Sequence, residues 1–191
     1  MQLNEAFIGA SADQSSFIAF ALEPQQQSNW CWAAIAVSLA RYYGVGDFTQ
    51  HQVAMAVLGT RQVHGELVYG EQVCGEQVHW ESVSPDRFNT VALLEDALRH
   101  VGCRASWTPG RPELRDIAAE IAAGRPVCAC LQWRTGDAHY VVLTGCLAET
   151  GELTVEDPLQ GRSLQKFDAF PGVYRSAGTV WRGVYWTAPD S

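Results

Sequence analysis

Lysine is almost missing from this chain. Lys166 is the single example among 13 basic residues, against 21 acidic ones, and the net charge is −8. No run of Lys or Arg occurs anywhere. A nucleic-acid-binding face needs clustered cations to exchange with phosphate counterions, so that function is set aside. A membrane-surface role is disfavoured for the same reason. Long apolar runs are missing too: stretches such as Ala33 to Val37 and Tyr140 to Leu143 are far shorter than a membrane span. The start, Met1-Gln2-Leu3-Asn4-Glu5, lacks the basic region and continuous apolar stretch of a signal peptide. The expectation is a cytoplasmic chain as written, or one delivered into other cells by a secretion system. No repeat, heptad or low-complexity segment is present.

What is present suits one folded unit. The 191 residues are 47% hydrophobic and 18% charged, with seven Trp, enough for a sizeable core in a single domain over 1–191. A chain of this size does not need stapling by its six cysteines (31, 74, 103, 128, 130 and 146). Cys128 and Cys130 lie two apart in a strand-like run and share one face as small buried residues, and reduced structural thiols are expected for at least four of the six. His64, Cys74 and His79 match no compact zinc spacing, so no metal is expected there.

Residues 16–22 read as a short strand. A helix is predicted from Asn29 to Tyr43, capped by Ser28 or Asn29 and ended by Gly44. Thr49 to Gln52 forms a capping box ahead of a second helix ending at Gly59. Residues 60–88 are left unassigned, as a covering loop or small hairpin. A third helix is expected from Thr90 to Val101 with Asn89 as its cap, and a fourth from Pro112 to Gly124. Beyond Gly124 the period becomes strand-like over 127–133, 139–146, 152–156 and 179–187. The expectation is an α+β fold: a helical part over about 24–124, then an antiparallel sheet or half-barrel over about 125–188.

The chemistry gathers at three places. Cys31 falls in the first turn of the first helix, where unpaired amides and the helix dipole stabilise a thiolate. A thiolate nucleophile needs a base, and the base needs an orienting partner. His51 and His100 lie within helices, and His64 and His79 in the unassigned stretch. His139 alone opens a strong strand, Tyr140 to Leu143, just after the turn Thr135 to Ala138. The next strand ends in Asp157-Pro158. If the two strands form a hairpin turning near 148–151, His139 and Asp157 meet at one sheet edge. Acyl transfer also needs oxyanion donors: the Cys31 amide is one candidate and the Gln25 side chain the second, with Gln26 or Gln27 as alternatives. Trp30, Trp32 and Ala138, next to the reactive residues, are expected to line the substrate cleft.

The string Gln25 to Ala34, with its Gln-x5-Cys spacing and Trp after Cys, resembles the papain-like cysteine peptidase superfamily. The double-tryptophan form Trp30-Cys31-Trp32-Ala33-Ala34 resembles a bacterial branch that includes plant-pathogen effector proteases and relatives of bacteriocin leader peptidases. His139-Tyr140-Val141-Val142 and Val155-Glu156-Asp157-Pro158 are similar to that branch's histidine and aspartate motifs in order and spacing, and the likeness spans roughly 16–187. It implies Cys31 as nucleophile, His139 as base and acid, Asp157 as orienter and Gln25 in the oxyanion hole, with no cofactor. The chain departs from the plant-type pattern at Asn29 and Trp30, and Asp157 stands where papain uses Asn. No tryptophan directly follows the Asp-Pro pair; Leu159 does. The implied partner is a protein or peptide substrate, joined by a cognate inhibitor or immunity protein if the chain is a toxin or effector. Deamidation, amidase or transglutaminase-like transfer on the same fold is the first rival. An inactive binding module is the second.

Overall fold

The computed structural model describes residues 15–59, 88–134, 136–176 and 179–189. Expectations for residues 60–87, including His64, Cys74 and His79, lie outside these. Among the described residues the chain forms four α-helices and seven strands. In order they are β1 Ser16–Phe17, α1 Cys31–Tyr43, α2 Gln50–Leu58, α3 Leu94–His100, β2 Cys103–Pro109, α4 Leu114–Ala122, β3 Val127–Gln132, β4 Ala138–Leu147, β5 Glu152–Asp157, β6 Gly161–Lys166 and β7 Val180–Pro189. Every described strand pair is antiparallel, in the order β2-β7-β3-β4-β5-β6, with β1 also beside β4. The class is α+β, as expected.

α1 is the pivot of the core. Every residue from Cys31 to Ala40 is buried. A helix that is apolar on all sides has no face to give to water and must be central. Its buried hydroxyl, Ser38, is satisfied locally, donating to the Ala34 carbonyl at 2.7 Å and accepting from the Glu23 N–H at 2.9 Å. Gly44 ends the helix at φ 69°, a left-handed turn that glycine enters without a Cβ penalty. α2 carries the expected capping box of Thr49 and Gln52.

Three helix starts differ from the sequence expectation. α1 begins at Cys31, with Trp30 at the cap position and no side-chain capping bond. Ser28 and Asn29 are instead bound to Asn89, which is thereby unavailable to cap a third helix. α3 accordingly begins at Leu94, later than Thr90, and α4 begins at Leu114, two residues past Pro112.

The strand at 16–22 also contracts, to Ser16–Phe17, because Ile18 and Phe20 enter the core after one further bond, Ile18 N–H to the Thr144 carbonyl at 2.7 Å. The clean division into helices then sheet is corrected by β2, which lies between α3 and α4 and pairs along its length with β7, from Cys103 opposite Pro189 to Pro109 opposite Gly183. β6 is a second strand the sequence pattern did not reveal. In β4 every residue from His139 to Cys146 is buried, so both of its faces are covered.

Candidate active site

Cys31 is the first residue of α1, 6% exposed, at the end where helix amides lack intrahelical partners. The loop leading to it is clamped from several directions. Gln50, in the first turn of α2 and 0% exposed, donates from Nε2 to Glu23 Oε1 at 2.6 Å and to the Pro24 carbonyl at 2.8 Å. Its Oε1 accepts from the Gln26 N–H at 2.9 Å. Between these anchors the Gln25 N–H donates to the Pro158 carbonyl at 2.9 Å, tying the loop to the turn after β5. Gln50→Leu keeps the volume and removes all three bonds, leaving part-buried loop groups without their partner. The expected loss is about 2 kcal/mol of unfolding free energy, read from the shift in urea midpoint.

A second clamp comes from residues 88–90. Asn89 Oδ1 accepts from the Asn29 N–H at 3.0 Å, and its Nδ2 donates to Ser28 Oγ at 3.0 Å. Trp30 Nε1 donates to the Phe88 carbonyl at 2.7 Å and Trp32 Nε1 to the Thr90 carbonyl at 3.1 Å. Both indoles are 0% exposed. The expectation that Trp30 and Trp32 line an open cleft is therefore corrected: they are core anchors whose N–H groups hold the 88–90 segment. Ala138 is exposed, directly before His139 at the start of β4.

His139 and Asp157 meet because of strand register. Val142 lies opposite Glu156, and the hairpin turns at 148–151. Continuing that register sets Asp157 opposite Val141, on the face shared by His139 two residues earlier. His139 Nε2 lies 2.9 Å from Asp157 Oδ1, and the Cys31 side chain interacts with the same imidazole. Both members of the pair are buried. Burial opposes charge on His139, but the contacts with Asp157 and Cys31 outweigh it and lift the imidazole to about 9. For Asp157 burial again works against the charge, and the His139 contact, with Tyr174 and the Leu159 amide, holds the carboxyl below its ordinary value.

Two residues at this site escaped sequence reasoning. Tyr174 donates its hydroxyl to Asp157 Oδ2 at 2.6 Å. Trp133, the residue just after β3, lies over His139 with ring centroids 6.0 Å apart. It provides the aromatic cover that the motif after Asp157 lacks. The signal for Trp133 was its place across a short turn from His139, closed by the Trp133 N–H to the Asp137 carbonyl at 2.9 Å. Tyr174 had no comparable signal, since it sits in a turn-rich stretch without periodicity. Asp168, an alternative orienting carboxylate, is fully exposed beside Arg111.

Gln25 approaches the site differently from the expectation. Its Nε2 donates to the Gln27 and Ser28 carbonyls, both at 2.8 Å, while Oε1 is buried without a partner. Gln26 is engaged elsewhere, with Glu23 at 3.2 Å. Among the described residues no group of three or more His, Cys, Asp or Glu is placed to hold a metal ion.

The model of the Peptidase_C39 like family matches residues 17–182. Two solved structures are similar. One is the peptidase domain of Streptococcus ComA, a bi-functional ABC transporter involved in a quorum sensing pathway. It is 16% identical with a TM-score of 0.55, covering 89% of this chain and 98% of that one. The other is a double glycine motif protease from an AMS/PCAT transporter, solved in complex with the leader peptide. It is 17% identical with a TM-score of 0.50, covering 91% of this chain and 95% of that one. At such identities the likeness is one of fold, and that fold is papain-like. No curated protein matches the chain.

Proposed function

We propose, for a chain that belongs to the Peptidase_C39 like family and is thereby a papain-like cysteine peptidase, that Cys31 is the nucleophile, His139 its base and Asp157 the orienting carboxylate. The observation that carries this is the buried His139–Asp157 hydrogen bond, with Cys31 at the head of a buried helix acting on the same imidazole. The Cys31 sulfur adds to a peptide carbonyl, and the proton held by His139 passes to the departing amine. Water, deprotonated by the same imidazole, then releases the acyl group from sulfur. The Cys31 N–H and the Gln25 amide are the proposed oxyanion donors, Gln25 giving up one of its two loop carbonyls when substrate enters. Ala138 lines the entry beside His139.

The proposed substrate class is an extended peptide of the leader kind with which the AMS/PCAT neighbour was captured. The test pairs leader-type peptides carrying two adjacent glycines with scrambled controls, followed by mass spectrometry. New termini formed by the native protein and absent with Cys31→Ala support the assignment. Products joined to an added amine, with no free acid, reassign the chain to acyl transfer. Absence of turnover, together with an unreactive Cys31, reassigns it to binding. The toxin or effector setting is a proposal with its own readout: toxicity on expression in a susceptible cell that disappears with Cys31→Ala. A cognate inhibitor or immunity protein belongs to that proposal alone.

A further inference from the structure

We propose that Tyr174 is a positioning residue for the reaction, acting through Asp157: its hydroxyl holds the carboxylate oxygen that His139 does not use. The inference rests on the assignment of Cys31, His139 and Asp157 made above. Asp157 is 2% exposed, and its two oxygens are treated unequally. Oδ1 takes three donors: His139 Nε2 at 2.9 Å, the Leu159 N–H at 2.8 Å and the Gln160 N–H at 3.2 Å. Oδ2 takes the Tyr174 hydroxyl at 2.6 Å, the short distance of a hydroxyl donating to an anion. A carboxylate held through one oxygen swings about its Cβ–Cγ bond, where the torsional wells are broad. Held through both, it presents Oδ1 to the imidazole in one orientation.

Tyr174 is itself fixed to suit this task. Its ring stacks on Trp133, with centroids 6.4 Å apart and planes 16° apart, and meets the edge of Phe170 at 5.2 Å. Trp133 also covers His139. Tyr174 therefore reaches His139 twice, through the carboxylate and through the indole. The Tyr174 N–H donates to the Pro171 carbonyl at 2.8 Å, and its own carbonyl accepts from Thr179 Oγ1 at 3.2 Å. The next residue, Arg175, sits at φ 55°, a left-handed conformation that is costly for a side chain of this kind. Such strain persists where the surrounding structure over-determines it, which is common at functional sites. Burial, and after it the Asp157 charge, push the phenol up, so it remains a donor through the working pH range.

Tyr174→Phe keeps the ring stack and removes only the donor. The expected result is a fall in kcat of about tenfold, with KM within about twofold, as for a group acting on the transition state rather than on substrate binding. The acid limb of the rate profile should move to higher pH, because Asp157 loses a donor that keeps it ionised. In an Asp157→Ala background the same change should alter kcat by less than about twofold, since a residue acting through Asp157 has nothing left to act on. A hydroxyl proton of Tyr174, shifted downfield and slow to exchange, should appear by NMR in the native protein and vanish in Asp157→Ala, which needs no folded Tyr174 variant. Equal losses in both backgrounds, an unmoved acid limb, or no such proton in the native protein overturns the proposal. These results with an inactive Cys31→Ala would sink Tyr174 alone, whereas full turnover by Cys31→Ala would remove the assignment beneath it.

Discussion

Cys31→Ala should lower peptide hydrolysis by about ten-thousand-fold or more while leaving the fold intact, since removal of a nucleophile leaves only binding and oxyanion stabilisation. Alanine is the best helix former and removes a single sulfur at the start of a helix that already carries Ala33 and Ala34 in its first turn, so α1 has no reason to unravel. No other described thiol can replace it. Cys103, Cys128, Cys130 and Cys146 are all buried. Burial pushes Cys130 up to about 11 and raises Cys128 and Cys146 as well, keeping them as inert thiols at neutral pH. Cys31, by contrast, acts on the His139 imidazole. Brief treatment with iodoacetamide at neutral pH should therefore alkylate Cys31 ahead of those four, as peptide mapping would reveal, and abolish activity in step. Retention of activity by a fully alkylated protein, or by the folded alanine variant, would refute the nucleophile assignment.

The candidate site was more legible in the sequence than the sheet that holds it. Cys31, His139 and Asp157 stand at element boundaries, and boundaries carry chemical punctuation: a helix start, a turn before a strand, a strand ending in Asp-Pro. The hairpin joining β4 and β5 then supplies the register that brings two of them together. By contrast, both strands that the pattern concealed, β2 and β6, are the outer strands of the sheet order. Gly161-Arg162-Ser163-Leu164-Gln165-Lys166 is largely exposed and Cys103-Arg104-Ala105-Ser106-Trp107-Thr108-Pro109 lacks clean alternation. Edge strands meet water on more sides, so their side chains are not forced into a period-two pattern. The helix caps failed for a different reason. Ser28, Asn29 and Asn89 have the chemistry of caps, but across about sixty residues they found one another instead. Sequence proximity could not reveal that exchange. The tryptophans beside Cys31 followed the same logic: their indole N–H groups had partners at residues 88 and 90, and satisfying them drew both rings into the core.

Asp157→Ala is expected to cost about a hundredfold in kcat, less than loss of the sulfur, because in the proposed mechanism Asp157 aligns the base and takes no part in bond making. The pH profile identifies the mechanism of that loss. In the native protein His139, ordinarily near 6.5, is lifted to about 9, so the protonated imidazole persists through neutral pH and is lost as pH rises through about 9. The alkaline limb of kcat/KM should lie there, since that limb reports the free enzyme's essential acid. The same shift is a stability contribution, fully present below about 6.5 and lost as pH climbs through the folded value. The hydrogen bond to Asp157 is the largest influence raising His139, and burial is the influence opposing it. Removing Asp157 leaves the burial in place. His139 must then titrate lower, and the alkaline limb should move down from near pH 9 towards neutrality, with denaturant midpoints of the variant losing the native protein's alkaline dependence over the same range. A variant with reduced kcat and an unmoved limb would mean that Asp157 holds the backbone of the turn through Leu159 and Gln160 rather than the imidazole. A limb that moves down identifies the carboxylate as what keeps His139 charged, beside the sulfur, at the pH where the enzyme works.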